Sequence, residues 1–229
     1  MGGCGGAGAS TLAAAVALRA ADRKQSPLLV DADPFGGGVD LLLGTEGCSG
    51  VRWQDLCDAS GRIDHQQLVD ALPRDRGLPF LSWSRDNSRV PGDAATRAVV
   101  ASIVGNPGPV VFDLARERSA LTQQVLSVTS TAIVIVPARV RAVAAASTVL
   151  AQLRSTAHDV RLVVRRPAPG GLTVDDIERT LDVPLIGSLP HDSRRAEWEE
   201  NGLPPSDKGV WRRLCDEVLN EDSSTRRVA

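Results

Sequence analysis

Residues 2–11, Gly2-Gly3-Cys4-Gly5-Gly6-Ala7-Gly8-Ala9-Ser10-Thr11, have the glycine spacing and hydroxyls of a phosphate-binding loop. Four residues separate Gly3 from Gly8, and Ser10 stands where such a loop presents a hydroxyl to magnesium. The candidate phosphate-binding residues are therefore Gly3, Gly5, Gly6, Ala7, Gly8, Ala9, Ser10 and Thr11. The motif has lysine at the position held here by Ala9. The loop keeps the backbone cradle and lacks its cation. Further along, two apolar runs end in carboxylates: Leu28-Leu29-Val30-Asp31, with Asp33 just beyond, and Val110-Val111-Phe112-Asp113. Each run fits a buried strand with a polar C-terminal end. Phosphoryl-group chemistry is what these types and spacings suggest.

The elements that would position these residues follow in order. An Ala-rich helix is expected over residues 10–23, with its N-terminus at Ser10 and Thr11. A helix start has unpaired N–H groups and a partial positive charge, both of which a phosphate satisfies. Residues 27–31 read as a buried parallel strand, 31–44 as a loop with three consecutive glycines and a helical turn at 39–43, and 50–72 as two short helices. Residues 77–83 read as a strand near an edge, because Pro79 cannot donate to a ladder. Helices are expected at about 93–104, 117–128, 139–155 and 172–181, and strands at 110–113, 131–136, 160–164 and 184–187. Strand and helix alternate throughout, which predicts an α/β fold: a mostly parallel sheet with helices on both faces. The expected division is a phosphate-loop domain over residues 1–205 followed by a helix and tail over 206–229.

Bulk properties narrow the function. The net charge of −2 gives no basic field for nucleic acid, and with aromatics at 3% and no tyrosine a base-stacking platform is not expected. Four scattered cysteines without a C-x-x-C pair suggest neither a zinc site nor a disulfide framework. No apolar run reaches the ~18 residues of a membrane span, and the glycine-rich start has no signal-peptide pattern. The sequence reads as cytoplasmic.

Four motifs taken in order are more specific than the loop alone. They are Gly5-Gly6-Ala7-Gly8-Ala9-Ser10-Thr11, the stretch from Asp31-Ala32-Asp33-Pro34 through the three glycines to Gly44, Pro167-Ala168-Pro169-Gly170-Gly171-Leu172, and Pro184-Leu185-Ile186-Gly187-Ser188-Leu189-Pro190-His191-Asp192. This combination, over about residues 2–195, resembles the MinD/ParA superfamily of deviant P-loop ATPases. The likeness is greatest to the CpaE/TadZ proteins and the actinobacterial septum-site-determining proteins. It implies ATP and Mg2+ as cofactors, with the loop around the phosphates and Ser10, Asp31 and Asp113 about the metal. Asp31 and Asp33 would position the water, Asp113 would be the Walker B acid, and Arg165 and Pro190 would border the adenine. It further implies a homodimer acting with division or with pilus and secretion machinery, and peripheral contact with a membrane.

The departures also predict something. Members of the superfamily have two loop lysines, at the positions of Cys4 and Ala9 here, and an asparagine where this chain has Arg165. Losing one charge-assisted bond of ~1.5–3 kcal/mol weakens nucleotide binding about 10- to 100-fold. Hydrolysis suffers more, because charge develops on the transferring phosphate. The expectation is a regulatory protein with a degenerate ATP site, placing the division septum or a Tad-type apparatus, and leaning away from an enzyme. Two alternatives stay open: a slow ATPase whose cation comes from an arginine such as Arg116 or Arg139, and a nucleotide-free adaptor. The loop also reads as a plain structural turn, the three acids as helix caps, and Asp40 as a local cap. In the tail, Val210, Trp211, Leu214, Val218 and Leu219 make an apolar side whose acidic neighbours favour packing on the domain over membrane contact. Finally, phosphate loops of this kind follow a central strand, and only Met1 precedes Gly2. The expectation is a fold lacking that strand, with a natural start further upstream.

Overall fold

The structure is a computed structural model in which residues 1–86, 89–190 and 209–225 are described. His191, Asp192 and the expected boundary at 205/206 lie outside the described residues.

β1 (Leu28–Ala32) is buried along its whole length, as a continuous apolar run demands of a parallel strand covered on both faces. It lies between β3 (Leu78–Leu81) and β4 (Val110–Leu114), parallel to both. β2 (Arg74–Asp75) folds back antiparallel on β3 through Arg76 and Gly77, both at positive φ. Among the described residues only this two-residue strand lies outside β3, so Pro79 sits near the edge as its missing N–H predicts. A second parallel sheet holds β5 (Ala132–Pro137), β6 (Val160–Arg165) and β7 (Leu185–Leu189), in that order. Ser188 and Leu189, expected in a loop, extend β7.

As expected, no strand precedes the phosphate loop among the described residues, and a short stub lies in its place. The Met1 ammonium donates to the Ile133 carbonyl at 3.0 Å. The Ile135 N–H donates to Met1 O at 3.1 Å, and the Gly3 N–H donates to Ile135 O at 2.9 Å. Met1 to Gly3 thus run parallel along β5 as a short extended stub leading into the loop. Between this stub and β4 lies an apolar cavity of about 130 Å3, walled by Leu12, Val111, Ile133, Leu153 and Val218 among others.

Helices cover both faces. α1 (Ala9–Asp22) follows the loop, and α2 (Val39–Leu42) is the expected single turn. A 3-10 turn (Trp53–Leu56) and α3 (His65–Ala71) match the two short patterns. α4 (Asp93–Ile103), α5 (Ala120–Val128), α6 (Val140–Leu153) and α7 (Val174–Leu181) fill the connections. α8 (Gly209–Thr225) then buries Trp211, Leu214, Cys215 and Leu219 in one cluster with Leu12, Ala15, Val16 and Ala20 of α1. The Arg19 guanidinium grips Asp216 with Nε and Nη2 at 2.7 and 3.1 Å. The apolar side of the tail is therefore spent on the domain. Among the described residues no helix is long and apolar enough to cross a membrane.

Candidate phosphate site

The site forms where the stub turns into α1. Gly8, at φ +103°, is the N-cap of α1 and supplies no side-chain cap, so the amides of the first turn meet no acceptor from it. Only glycine takes that backbone without strain. Gly2, Cys4 to Thr11, Asp33, Gly37, Gly38, Leu41, Leu42, Asp113, Leu114 and Arg116 enclose an open cleft of about 410 Å3. A Cβ on Gly6 would meet nothing within 4 Å, so the loop backbone is bare toward the cleft. Gly3 has another role. A side chain there would strike Ala146 and Val136 at 2.9 Å, and Gly3 does not line the cleft. Its smallness lets the stub lie against β5 and α6.

The acids separate by position. The β1–β4 register sets Asp31 directly opposite Asp113. The Ser10 hydroxyl donates to the Asp113 carboxylate. Burial pushes Asp113 above the usual carboxylate range, against that hydrogen bond. Asp33 lines the cleft, and its Oδ1 accepts from the Phe35 N–H at 3.1 Å.

Asp31 is set back from the cleft. It is buried, does not line the cleft, and accepts from the N–H groups of Asp33 and Val39 at 3.0 and 3.1 Å. Burial pushes its carboxyl up to about 8, with the charges of Asp113 and Asp33 adding to the rise against these two donors. Both of its oxygens are thus turned to its own loop, and Asp31 clamps the turn over residues 33–39.

The glycine run beside it is held by a pair the sequence did not disclose. Arg85 forks onto Asp40 with both contacts at 2.9 Å and donates to Gly37 O at 3.0 Å. A Cβ on Gly38, at φ +90°, would strike Asp40 Oδ1 at 2.5 Å and Arg85 Nη2 at 2.7 Å. Asp40 is thus the buried partner of Arg85 and takes no part in the cleft. The indoles of Trp53 and Trp83, stacked with centroids 5.4 Å apart, both donate to the Asp31 carbonyl, at 2.6 and 3.2 Å. No local pattern marks Trp53, Trp83 or Arg85, because each meets its partner across a gap of 20 residues or more.

Arg165 and Pro190 are brought to a different place. Arg165 ends β6 opposite Leu189, and the Arg166 N–H donates to Leu189 O, so Arg165 and Pro190 are neighbours at the same sheet edge. Neither lines the cleft. Arg139 is the N-cap residue of α6 and is also outside the lining, whereas Arg116 belongs to it.

A phosphate and magnesium fit what is present. The cleft offers bare loop amides, an uncapped helix start, and a hydroxyl–carboxylate pair with Asp33 nearby. Among the described residues no cluster of three or more His, Cys, Asp or Glu side chains is arranged for a metal. Magnesium usually draws the remainder of its shell from phosphate and water, so one or two protein ligands are in keeping with it.

Similarity to known proteins agrees with this geometry. The solved structures that superpose on the chain include a ParA family ATPase of Chlorobium tepidum (TM-score 0.79, 17% identity, 96% of this chain and 95% of that one). The MinC:MinD cell division protein complex of Aquifex aeolicus matches with TM-score 0.78 at 23% identity, covering 96% and 93%. The septum site-determining protein MinD of Pyrococcus horikoshii, complexed with Mg-ADP, matches with TM-score 0.73 at 16% identity, covering 97% and 95%. The fold is that of the MinD and ParA ATPases. At these identities the likeness is one of fold, and the site must be argued from its own residues. No family model matches the sequence. An uncharacterised protein of Mycobacterium tuberculosis is 40% identical over 202 residues, which are 88% of this chain and 56% of that protein. The chain thus spans a little over half the length of that relative. A putative septum site-determining protein MinD of Emiliania huxleyi is 25% identical over 210 residues, 88% of this chain and 76% of that protein.

Proposed function

We propose that this chain is a MinD/ParA-like regulatory protein whose cleft binds ATP with magnesium weakly and hydrolyses it poorly. It would act as a dimeric factor in placing the division septum or a Tad-type pilus or secretion apparatus. The observation that carries the nucleotide reading is the open start of α1, with its glycine loop and its Ser10–Asp113 pair on one cleft. Ser10 and Asp113 would hold magnesium, Asp33 would orient water, and the amides of residues 5–11 would bind phosphate oxygens. Magnesium would screen the phosphates from these two acids. Ala9 at the lysine position supports weak binding and little turnover, since fixed cations aimed at the transferring phosphate supply much of such catalysis.

The positioning role rests on the fold shared with MinD proteins and on the relative from Emiliania huxleyi named for septum placement. Dimer formation is supported by apolar surface beside the cleft: Phe35 is 80% exposed, and Leu41, 44% exposed, lines the cleft itself. A second copy facing this surface would cover both.

Calorimetry of ATP with magnesium tests the reading. The expected result is measurable but weak binding that tightens about 10- to 100-fold in Ala9→Lys. No heat at millimolar ATP from a folded chain would overturn it in favour of a nucleotide-free adaptor. Turnover that disappears in Asp33→Ala would instead identify a slow ATPase.

A further inference from the structure

We propose that Arg116 supplies the phosphate-binding cation that the loop lacks, reaching the cleft from the opposite side. The inference rests on the nucleotide reading above and names the residue that makes it electrostatically workable. Arg116 lies two residues beyond the end of β4 and lines the cleft with residues 4–11. Its Nη2 stands 3.7 Å from the point a Cβ on Gly5 would occupy, so the guanidinium lies against the bare glycine backbone. Arg116 is exposed, and among the described residues it forms no ion pair, so the fork is available to a ligand.

Charge makes the assignment specific. Among the described residues, Asp33 and Asp113 are the acids of the cleft wall, and Arg116 is the one basic side chain in its lining. A polyphosphate brought beside two carboxylates needs compensating positive charge on the protein, and magnesium alone leaves the complex net negative. Lysine in a phosphate loop meets this need as a point charge projecting from the helix that follows the loop. Arginine meets it with a planar fork that takes two phosphate oxygens at once. It comes from the β4–α5 connection, and its Nη2 lies over Gly5, which has no side chain to hold the fork away from the loop backbone.

Neighbouring arginines provide the control. Arg118 is two residues away, is also exposed, and lines a separate cavity with Glu117, Gln123 and Gln152, which Arg116 borders from its other side. Arg118 does not line the phosphate cleft. Removing either arginine changes the net charge equally, so only a contact-specific effect separates them.

The test is calorimetric titration of ATP and, separately, of pyrophosphate, each with magnesium, into the full chain and its variants. Arg116→Ala and the length-preserving Arg116→Gln are expected to weaken binding about 10- to 100-fold. Arg118→Ala should stay within about twofold, since an exposed charge outside the site acts only through screened solvent. Both Arg116 variants should unfold at the wild-type temperature, because the side chain is exposed. Equal affinity of wild type, Arg116→Ala and Arg116→Gln overturns the inference while leaving the nucleotide reading intact. An equal loss in Arg118→Ala also overturns it, by showing a general charge effect. A folded wild-type chain that takes up neither probe overturns both readings at once.

Discussion

Two hollows meet at the start of α1 and have opposite characters. The phosphate cleft is open and is bounded by loop backbone, two carboxylates and Arg116. The cavity between β4 and the Met1–Gly3 stub is smaller and walled by aliphatic side chains such as Leu12, Val111 and Ile133. Ala9 borders both, so one helix turn divides a polar space from an apolar one. The first space is built by backbone conformation, through Gly8 at φ +103° and Gly6 at +64°. The second is built by side-chain volume. Substitutions at the two should therefore fail differently, one through binding and the other through stability.

The largest effect is expected on the apolar side. Leu12→Ala removes a buried side chain from the wall of an existing cavity and should cost about 2–5 kcal/mol in denaturant unfolding. Ligand affinity of the chain that stays folded should hardly change. A Leu12 variant of wild-type stability would mean that the hollow collapses freely, and the contrast would be lost.

Next comes Asp31, which lies behind the cleft. Asp31→Asn leaves one of its two N–H donors facing an amide NH2 and should cost about 1–3 kcal/mol. Its pH dependence is the sharper measurement. Because the folded-state carboxyl titrates at about 8, above the ordinary 3.8, the native chain holds the extra proton between those values. That contribution to stability is complete below 3.8 and is lost as pH rises through about 8. Wild-type stability should fall over this window, and Asp31→Asn should remove that part of the slope. Identical slopes would show that Asp31 titrates normally.

The smallest effect belongs to the strap over α1. Asp216→Ala breaks the fork from Arg19 at a half-exposed position and should cost less than about 1 kcal/mol. Amide exchange should quicken in α8 and stay unchanged in β1 and β4. Faster exchange at residues 31–39 as well would tie the strap to the cleft.

Much of this was readable along the chain because its signals are local. The apolar runs of β1 and β4 end in Asp31 and Asp113 in the sequence as they do in the fold, and the glycine spacing marks the turn into α1. Two features were not legible there because they are not local. Asp31 and Asp33 look equivalent in a linear motif, but β1 ends at Ala32, so Asp31 is buried within the strand while the turn beyond it leaves Asp33 on the cleft wall. The stretch before the loop forms no strand, as expected, yet three backbone hydrogen bonds to β5 hold it in place.

The sequence by itself determined the α/β alternation, the phosphate-loop outline and the missing lysine, because helix period, apolar run length and glycine spacing act over a few residues. Only the tertiary structure decided which charges share the cleft. It paired Arg85 with Asp40, turned the indoles of Trp53 and Trp83 onto the Asp31 carbonyl, and brought Arg116 over Gly5. Those meetings depend on strand register and chain crossing between segments far apart in sequence, and electrostatic energy depends on distance in space.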